Sequence, residues 1–269
     1  MKISVITVCY NAERTIRAAM DSVFAQRGVE VEYIVVDGGS KDGTVGIVRE
    51  QAQLADSGWR IAVGGEQRDR GVVEFKWISE PDEGMYDAIN KGIKMATGDV
   101  VGILNADDML EFPGTLKHIA DTFADGIDVV YADVRFVKAD LVTTVRYYGA
   151  AKWRPYMHNW GYMPPHPSVY IRRERLLQLG GYRLGYQISA DFELMVRYLC
   201  RQRLKAAYLP ESVVKMRMGG KSTCGWRANL KLNLENVRAN RENGYFCCLA
   251  MMAPKYLFKI WEFVLPRLR

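Results

Sequence analysis

The chain has 269 residues, enough to bury a sizeable core in one large domain or in one domain with an appendage. Its 49% apolar and 25% charged residues, with no low-complexity tract, exclude a disordered or fibrous protein. A net charge of +6 points to anionic partners such as phosphates, nucleic acid or an acidic membrane surface, and says nothing of the fold.

Ile3 to Cys9 is rich in β-branched residues and reads as a buried parallel strand, followed by a helix with Ile16, Ala19, Met20, Val23 and Phe24 on one face. Val31 to Val36 is a second such strand and runs into Asp37-Gly38-Gly39-Ser40-Lys41-Asp42-Gly43-Thr44, after which a helix reaches about Ala55. This alternation predicts a parallel sheet with both faces covered. Residues 56–73 read as a loop with one short strand at Ile61 to Val63. Phe75 to Ser79 is a third strand, and a helix carrying Met85, Ala88, Ile89, Ile93 and Ala96 follows it to Gly98.

The next strand, 99–104, ends in Asn105, Asp107 and Asp108. A buried strand has no reason to finish in clustered carboxylates, because burying unpaired charge is costly. At the end of an α/β strand such a cluster meets a ligand crevice, where oxygen ligands suit a hard divalent cation holding substrate phosphates. An Asx turn before Pro113 would use the same residues. A helix with Leu116, Ile119, Ala120 and Phe123 comes next, then a strand at Ile127 to Tyr131. Val134 to Val137 and Val142 to Tyr147 look like a hairpin.

Residues 152–170 are crowded with Trp, Tyr, Pro, Met and two His, which suits a substrate-facing loop region. Helices are expected from Arg173 to Gly180 and from Asp191 to Arg201, a short strand at Ala206 to Leu209, and helix from Gly225 onward. Between Lys215 and Arg241 seven Lys and Arg face one acid, Glu235. The basic, aromatic tail after Pro254 reads either as a solvated face or as an amphipathic segment lying on an anionic membrane. The longest apolar run, Tyr245 to Ala253, is far too short to span a bilayer, and the N-terminus lacks a signal-peptide pattern. Five cysteines without metal spacing predict a reduced cytosolic protein.

Polar residues thus gather at four strand ends: Asn11, Asp37, Glu80 with Asp82, and Asn105 with Asp107. One such ending is commonplace; four on one sheet edge point to a bound ligand. The loop 37–44 is neither a calcium loop, a P-loop nor a dinucleotide fingerprint, which disfavours a Rossmann dehydrogenase. No nucleic-acid-binding module is recognisable.

Four segments together carry a resemblance: Val-Ile-Thr-Val-Cys-Tyr-Asn-Ala (5–12), Val-Val-Asp-Gly-Gly-Ser-Lys-Asp-Gly-Thr (35–44), Ser-Glu-Pro-Asp-Glu-Gly-Met-Tyr-Asp-Ala-Ile-Asn-Lys-Gly (79–92) and Leu-Asn-Ala-Asp-Asp (104–108). With Gly-Gly-Tyr and Ala-Asp-Phe-Glu-Leu between 180 and 194, they resemble a family-2 glycosyltransferase over roughly residues 1–225. The resemblance implies an α/β fold of GT-A type, a nucleotide-sugar-binding domain with a mostly parallel central sheet flanked by helices. The domain would span 1–224, and a basic helical C-terminal extension 225–269.

The resemblance also implies roles. Thr7, Tyr10, Asn11 and Asp37 would hold the base and ribose of a nucleotide-sugar donor, and Asp82, Asp87, Asn90 and Lys91 would lie against it. Asn105-Ala106-Asp107 matches an Asp-x-Asp metal motif, with Asp107 the ligand of Mn²⁺ or Mg²⁺. Asn105, where many members have Asp, leaves that site one charge short. Asp191 matches the catalytic base, although a helix N-cap would also explain it. His166 and Lys221, the latter beside Ser222, are candidates for the acceptor or diphosphate, and surface or packing roles explain them equally well. His118 is expected on an exposed helix face. The function implied is inverting, metal-dependent transfer from a nucleotide-diphosphate sugar, with UDP favoured, to a hydroxyl of a glycan or lipid-linked saccharide. The setting would be bacterial surface-polysaccharide assembly, in the cytoplasm and against the inner face of the membrane. A catalytically degenerate nucleotide-binding subunit is the alternative.

Overall fold

The computed structural model describes residues 1–56, 72–218 and 226–253. The short strand expected at 61–63, Lys221, Ser222 and the tail after Pro254 lie outside the described residues. Among those described, the strands join one sheet in the order β3-β2-β1-β4-β8-β6-β9-β5, with β7 on β6.

The first part follows the apolar runs. β1 (Lys2–Cys9), β2 (Glu30–Asp37), β3 (Val72–Ser79) and β4 (Val100–Ile103) pair in parallel, separated by α1 (Ile16–Phe24), α2 (Thr44–Asp56) and α3 (Met85–Met95). Both faces are covered at β1, β2 and β4, which is why they are largely continuous apolar runs, whereas β3 at the sheet edge is only partly buried and alternates Phe75 and Trp77 with Glu74 and Lys76. Ile3 and Val5 of β1 pack with Ile16, Met20 and Val23 of α1. Ile6 and Val8 face Ala88, Ile89 and Ile93 of α3 on the other side. Gly92 lets α3 approach closely, since a Cβ there would stand 2.5 Å from Ile6 Cγ2.

Beyond β4 the sheet is mixed. β5 (Met109–Leu110) and α4 (Thr115–Thr122) precede β6 (Val129–Val137), which forms the expected hairpin with β7 (Thr144–Tyr148). The two strands expected at 127–131 and 134–137 are one. Asp133 interrupts the apolar pattern, but its carboxylate is buried and accepts from Tyr147 Oη at 2.7 Å, Tyr208 Oη at 3.0 Å and the Ala150 N–H at 2.6 Å. β8 (Tyr170–Arg172) is an unexpected strand, antiparallel to both β4 and β6. α5 (Arg173–Leu179) follows directly. α6 (Ala190–Met195) continues into a wider π turn at Val196–Arg201. β9 is three times longer than expected, Ala206–Arg217, because Pro210 does not end it. The register with β6 jumps from Ala132↔Leu209 to Asp133↔Ser212, so Pro210 occupies a bulge where no ladder donor is needed. α7 (Trp226–Glu242) is followed by non-helical residues and a short turn of 3₁₀ helix at Leu249–Met252. No helix among the described residues is long and apolar enough to cross a membrane.

Glu32 pins the end of the sheet opposite the polar rim. Its buried carboxylate accepts from Lys76 Nζ at 2.7 Å, Ser4 Oγ at 2.5 Å, and the Thr97 N–H at 2.7 Å and Oγ1 at 2.8 Å. Burial alone would raise its pKa, but these donors outweigh burial and hold it at about 2. A depressed carboxylate stabilises above its ordinary value of 4.5 and loses that contribution as pH falls towards 2. Glu32→Gln should therefore lower stability at pH 7 by roughly 3 kcal/mol and flatten the fall between pH 4.5 and 2, as read by urea unfolding across pH.

Candidate active site

The ends of β1, β2, β3 and β4 bring their loops to one rim. Register aligns Cys9 with Asp37 and Asp37 with Ser79. Asp37 is buried, and its carboxylate accepts from Ser79 Oγ at 2.7 Å, Ser40 Oγ at 2.5 Å, the Gly39 N–H at 3.1 Å and the Ser40 N–H at 3.0 Å. Burial opposes ionisation there, yet those hydrogen bonds carry its pKa below the ordinary value. Asn11, in the left-handed region at φ 51°, accepts the Lys41 N–H at 2.9 Å and donates its own N–H to Ser40 Oγ at 2.7 Å. The loops after β1 and β2 are thereby one unit. Tyr10 stands 54% exposed beside them. Thr7 is not at the rim: its side chain is fully buried and accepts from Tyr33 Oη at 3.1 Å. Asp82 reaches the same unit, since a Cβ on Gly38 would lie 2.3 Å from its Oδ2.

α3 carries the next group. Lys91 Nζ donates to the Pro81 carbonyl at 2.9 Å and pairs with Glu80 at 2.8 Å and Asp87 at 3.6 Å. Asp87 also accepts the Glu83 N–H at 3.2 Å. One turn away, Asn90 is committed to Tyr182, donating to its carbonyl at 2.7 Å and accepting its N–H at 2.9 Å. Tyr86 stacks on the Tyr182 ring at 5.7 Å and donates to the Ile188 carbonyl at 2.6 Å.

At the end of β4, Asn105 Nδ2 donates to Asp108 Oδ2 at 2.9 Å, and Ala106 is buried. Asp108 points inward, and burial followed by the charge of Asp107 pushes its pKa up to about 7. Asp107 is only partly buried and accepts no hydrogen bond from any described residue. No group of three or more His, Cys, Asp or Glu that could hold a metal occurs among the described residues. A hard divalent ion that keeps waters and shares substrate phosphates needs only one or two carboxylates, and Asp107, which has no hydrogen-bond donor among the described residues, fits that donor set.

Asp191 lies in the first turn of α6; Ser189, not Asp191, holds the N-cap position. Its carboxylate accepts the Phe192 N–H at 2.8 Å. Burial raises its pKa, with His166 opposing the rise. His166 is lowered by burial and countered by Asp191, and its Nε2 meets Tyr182 Oη at 2.5 Å. Asp191, His166, Tyr182 and Tyr86 therefore form one cluster, which Asn90 ties to α3. Neither tyrosine was assigned a role from the sequence, although both stand inside quoted motifs, Gly-Met-Tyr-Asp and Gly-Gly-Tyr. His118 is exposed, as expected, and pairs with Glu211 at 2.8 Å.

Since Asp37 takes both the Gly39 and Ser40 N–H groups and two serine hydroxyls, Asp37→Ala should cost about 2–4 kcal/mol in urea unfolding, the loss of several charge-assisted hydrogen bonds at a buried site.

Comparison with known proteins speaks to the fold and the family. The PGL/p-HBAD biosynthesis glycosyltransferase of Mycobacterium tuberculosis is 29% identical over 208 residues, covering 77% of this chain and 73% of its own. Among solved structures, S. aureus TarS 1-349 in complex with UDP superposes with a TM-score of 0.61 at 17% identity, over 94% of this chain and 70% of that one. The mannosyltransferase PcManGT of Pyrobaculum calidifontis, in complex with GDP-Man and Mn²⁺, gives 0.62 at 19%, over 88% and 64%. These two likenesses speak for the fold, which is of GT-A type. The profile of "Glycosyl transferase family 2" matches residues 4–182, and the chain belongs to that family of glycosyltransferases.

Proposed function

We propose that the protein is an inverting glycosyltransferase that moves a sugar, taken to be a hexose, from a nucleotide-diphosphate donor to an acceptor hydroxyl, with Asp191 as general base. The observation that carries this reading is the Asp191 cluster. A carboxylate whose pKa is raised by burial, beside an aromatic wall and a histidine, suits proton abstraction from an attacking hydroxyl. As that hydroxyl attacks the anomeric carbon, Asp191 takes its proton and the diphosphate departs with the bonding pair. Mn²⁺ or Mg²⁺ held by Asp107, when bound, would neutralise the charge that the diphosphate gains.

Tyr10 offers an exposed ring for the base, and Asn11 and Asp37 keep the loops beside it in place. UDP is the favoured nucleotide: the TarS neighbour binds it, while the archaeal neighbour binds GDP-Man. The acceptor is taken to be a glycan or lipid-linked saccharide in polysaccharide biosynthesis, and the mycobacterial relative is likewise a biosynthetic glycosyltransferase, of PGL/p-HBAD. The outer side of α7 exposes Leu230 and Leu234 among Lys231, Arg238 and Arg241, and Phe246 follows, 80% exposed. Such a face suits peripheral attachment to an anionic membrane from the cytoplasm, with 225–269 as the attaching extension to the catalytic unit 1–224.

Calorimetry with UDP, GDP and dTDP, each with and without Mn²⁺, tests the donor assignment; Mn²⁺-dependent binding of one nucleotide supports it, and binding of none overturns it. Asp191→Asn should lower transfer by about 10²–10⁴-fold while nucleotide affinity stays within about twofold. Turnover at the original rate would remove Asp191 as the base. Asp107→Ala should abolish the Mn²⁺-dependent gain in UDP affinity and leave metal-free affinity unchanged. A surviving metal effect would place the ion elsewhere.

A further inference from the structure

α7 lies beyond the stretch matched by the family profile, yet its inner face and the residue just past its end bear the buried polar side chains Glu235, Asn240 and Asn243. A buried carboxylate must be compensated. Glu235 is compensated by three successive backbone donors: Gln187 at 3.1 Å on Oε1, and Ile188 and Ser189, each at 2.9 Å, on Oε2. That peptide leads straight into Asp191. Its other edge is held as well, since the Ile188 carbonyl takes the Tyr86 hydroxyl. Two residues past Asp191, Glu193 accepts from Asn243 Nδ2 at 3.2 Å and pairs with Arg197 at 3.1 Å. Contacts from α7 therefore bracket Asp191 on both sides in the chain.

We propose that Glu235 is a positioning residue for Asp191: by fixing the 187–189 peptide it sets where the first turn of α6 begins, and so where the Asp191 carboxylate stands against Tyr86, Tyr182 and His166. The inference rests on Asp191 being the base. The carboxylate of Glu235 is consumed by the three amides and touches no reacting atom, so its effect passes entirely through geometry. A displacement of about 1 Å at a catalytic group costs on the order of 100-fold in rate.

The test uses the full chain. Nucleotide release from UDP-GlcNAc, UDP-glucose and GDP-mannose, with Mn²⁺ present, identifies the donor the wild type turns over, and that donor is then used with Glu235→Ala, Glu235→Gln and Asp191→Asn. Glu235→Ala should lower kcat at least tenfold with donor KM and the calorimetric stoichiometry of UDP within twofold. Glu235→Gln, which keeps one acceptor oxygen, should recover part of the loss. Hydrogen exchange at the 187–189 amides should accelerate in Glu235→Ala. An unchanged kcat overturns the proposal, and so does a loss matched by an equal fall in the fraction of molecules that bind UDP, which marks a folding defect alone. Full turnover in Asp191→Asn removes the base and this inference with it. Loss in Asp191→Asn without loss in Glu235→Ala removes the inference and leaves the base.

Discussion

The carboxylate of Asp37 is the constraint from which the rim is built. Parallel pairing delivers it beside Cys9 and Ser79, and it collects donors from β3, from its own turn and from the Cys9 thiol at 3.6 Å. With its oxygens taken up by these donors the carboxylate holds the turn after β2, and Asn11 ties the loop after β1 onto it. The loop after β3 is drawn in by close approach at Gly38 and by the Glu80 N–H on the Asp37 carbonyl at 3.0 Å. A ligand arriving at this edge meets a surface already organised, which is the condition for binding without a large ordering cost.

The second constraint is Asn90. It lies on α3, whose opposite face makes the core against β1 and β2, and it holds the backbone of Tyr182 from two directions. Tyr182 in turn meets His166 and Tyr86. The rim loops and the Asp191 cluster are therefore joined through α3, by Asn90 and by Tyr86 one turn before it. Gly181 belongs to this joint, because a Cβ there would stand 2.3 Å from Asn90 Oδ1.

The parallel half was legible because β1, β2 and β4 are buried on both faces and announce themselves as apolar runs ending in polar residues, with β3 marked by its aromatic and β-branched residues. The mixed half was not. Asp133 split one strand in two because its partners Tyr147, Ala150 and Tyr208 lie 14 to 75 residues further along the chain, and Pro210 truncated another because a bulge cannot be seen from one strand alone. β8 was hidden at the end of the aromatic stretch before Arg173. Among site residues, the motifs named the rim, but motif letters do not say which way a side chain points: Thr7 turned inward to Tyr33, and Asn90 and Lys91 were spent on protein partners. Glu235 was visible only as the lone acid in a basic block. Its partners lie 46 to 48 residues earlier, beyond the reach of any local pattern.

The order in which strands join the sheet also has a consequence for synthesis. β1 to β4 and their helices lie within the first 103 residues and pair with sequence neighbours or near neighbours, so the rim loops that follow these strands can assemble while later segments are still being made. The Asp191 side must wait for β6 to meet β9 and for α7 to arrive, both long-range closures. An emerging chain thus acquires the rim loops after β1 to β4 well before Asp191 is set in place, and that placement is completed only by α7, the last α-helix of the described fold.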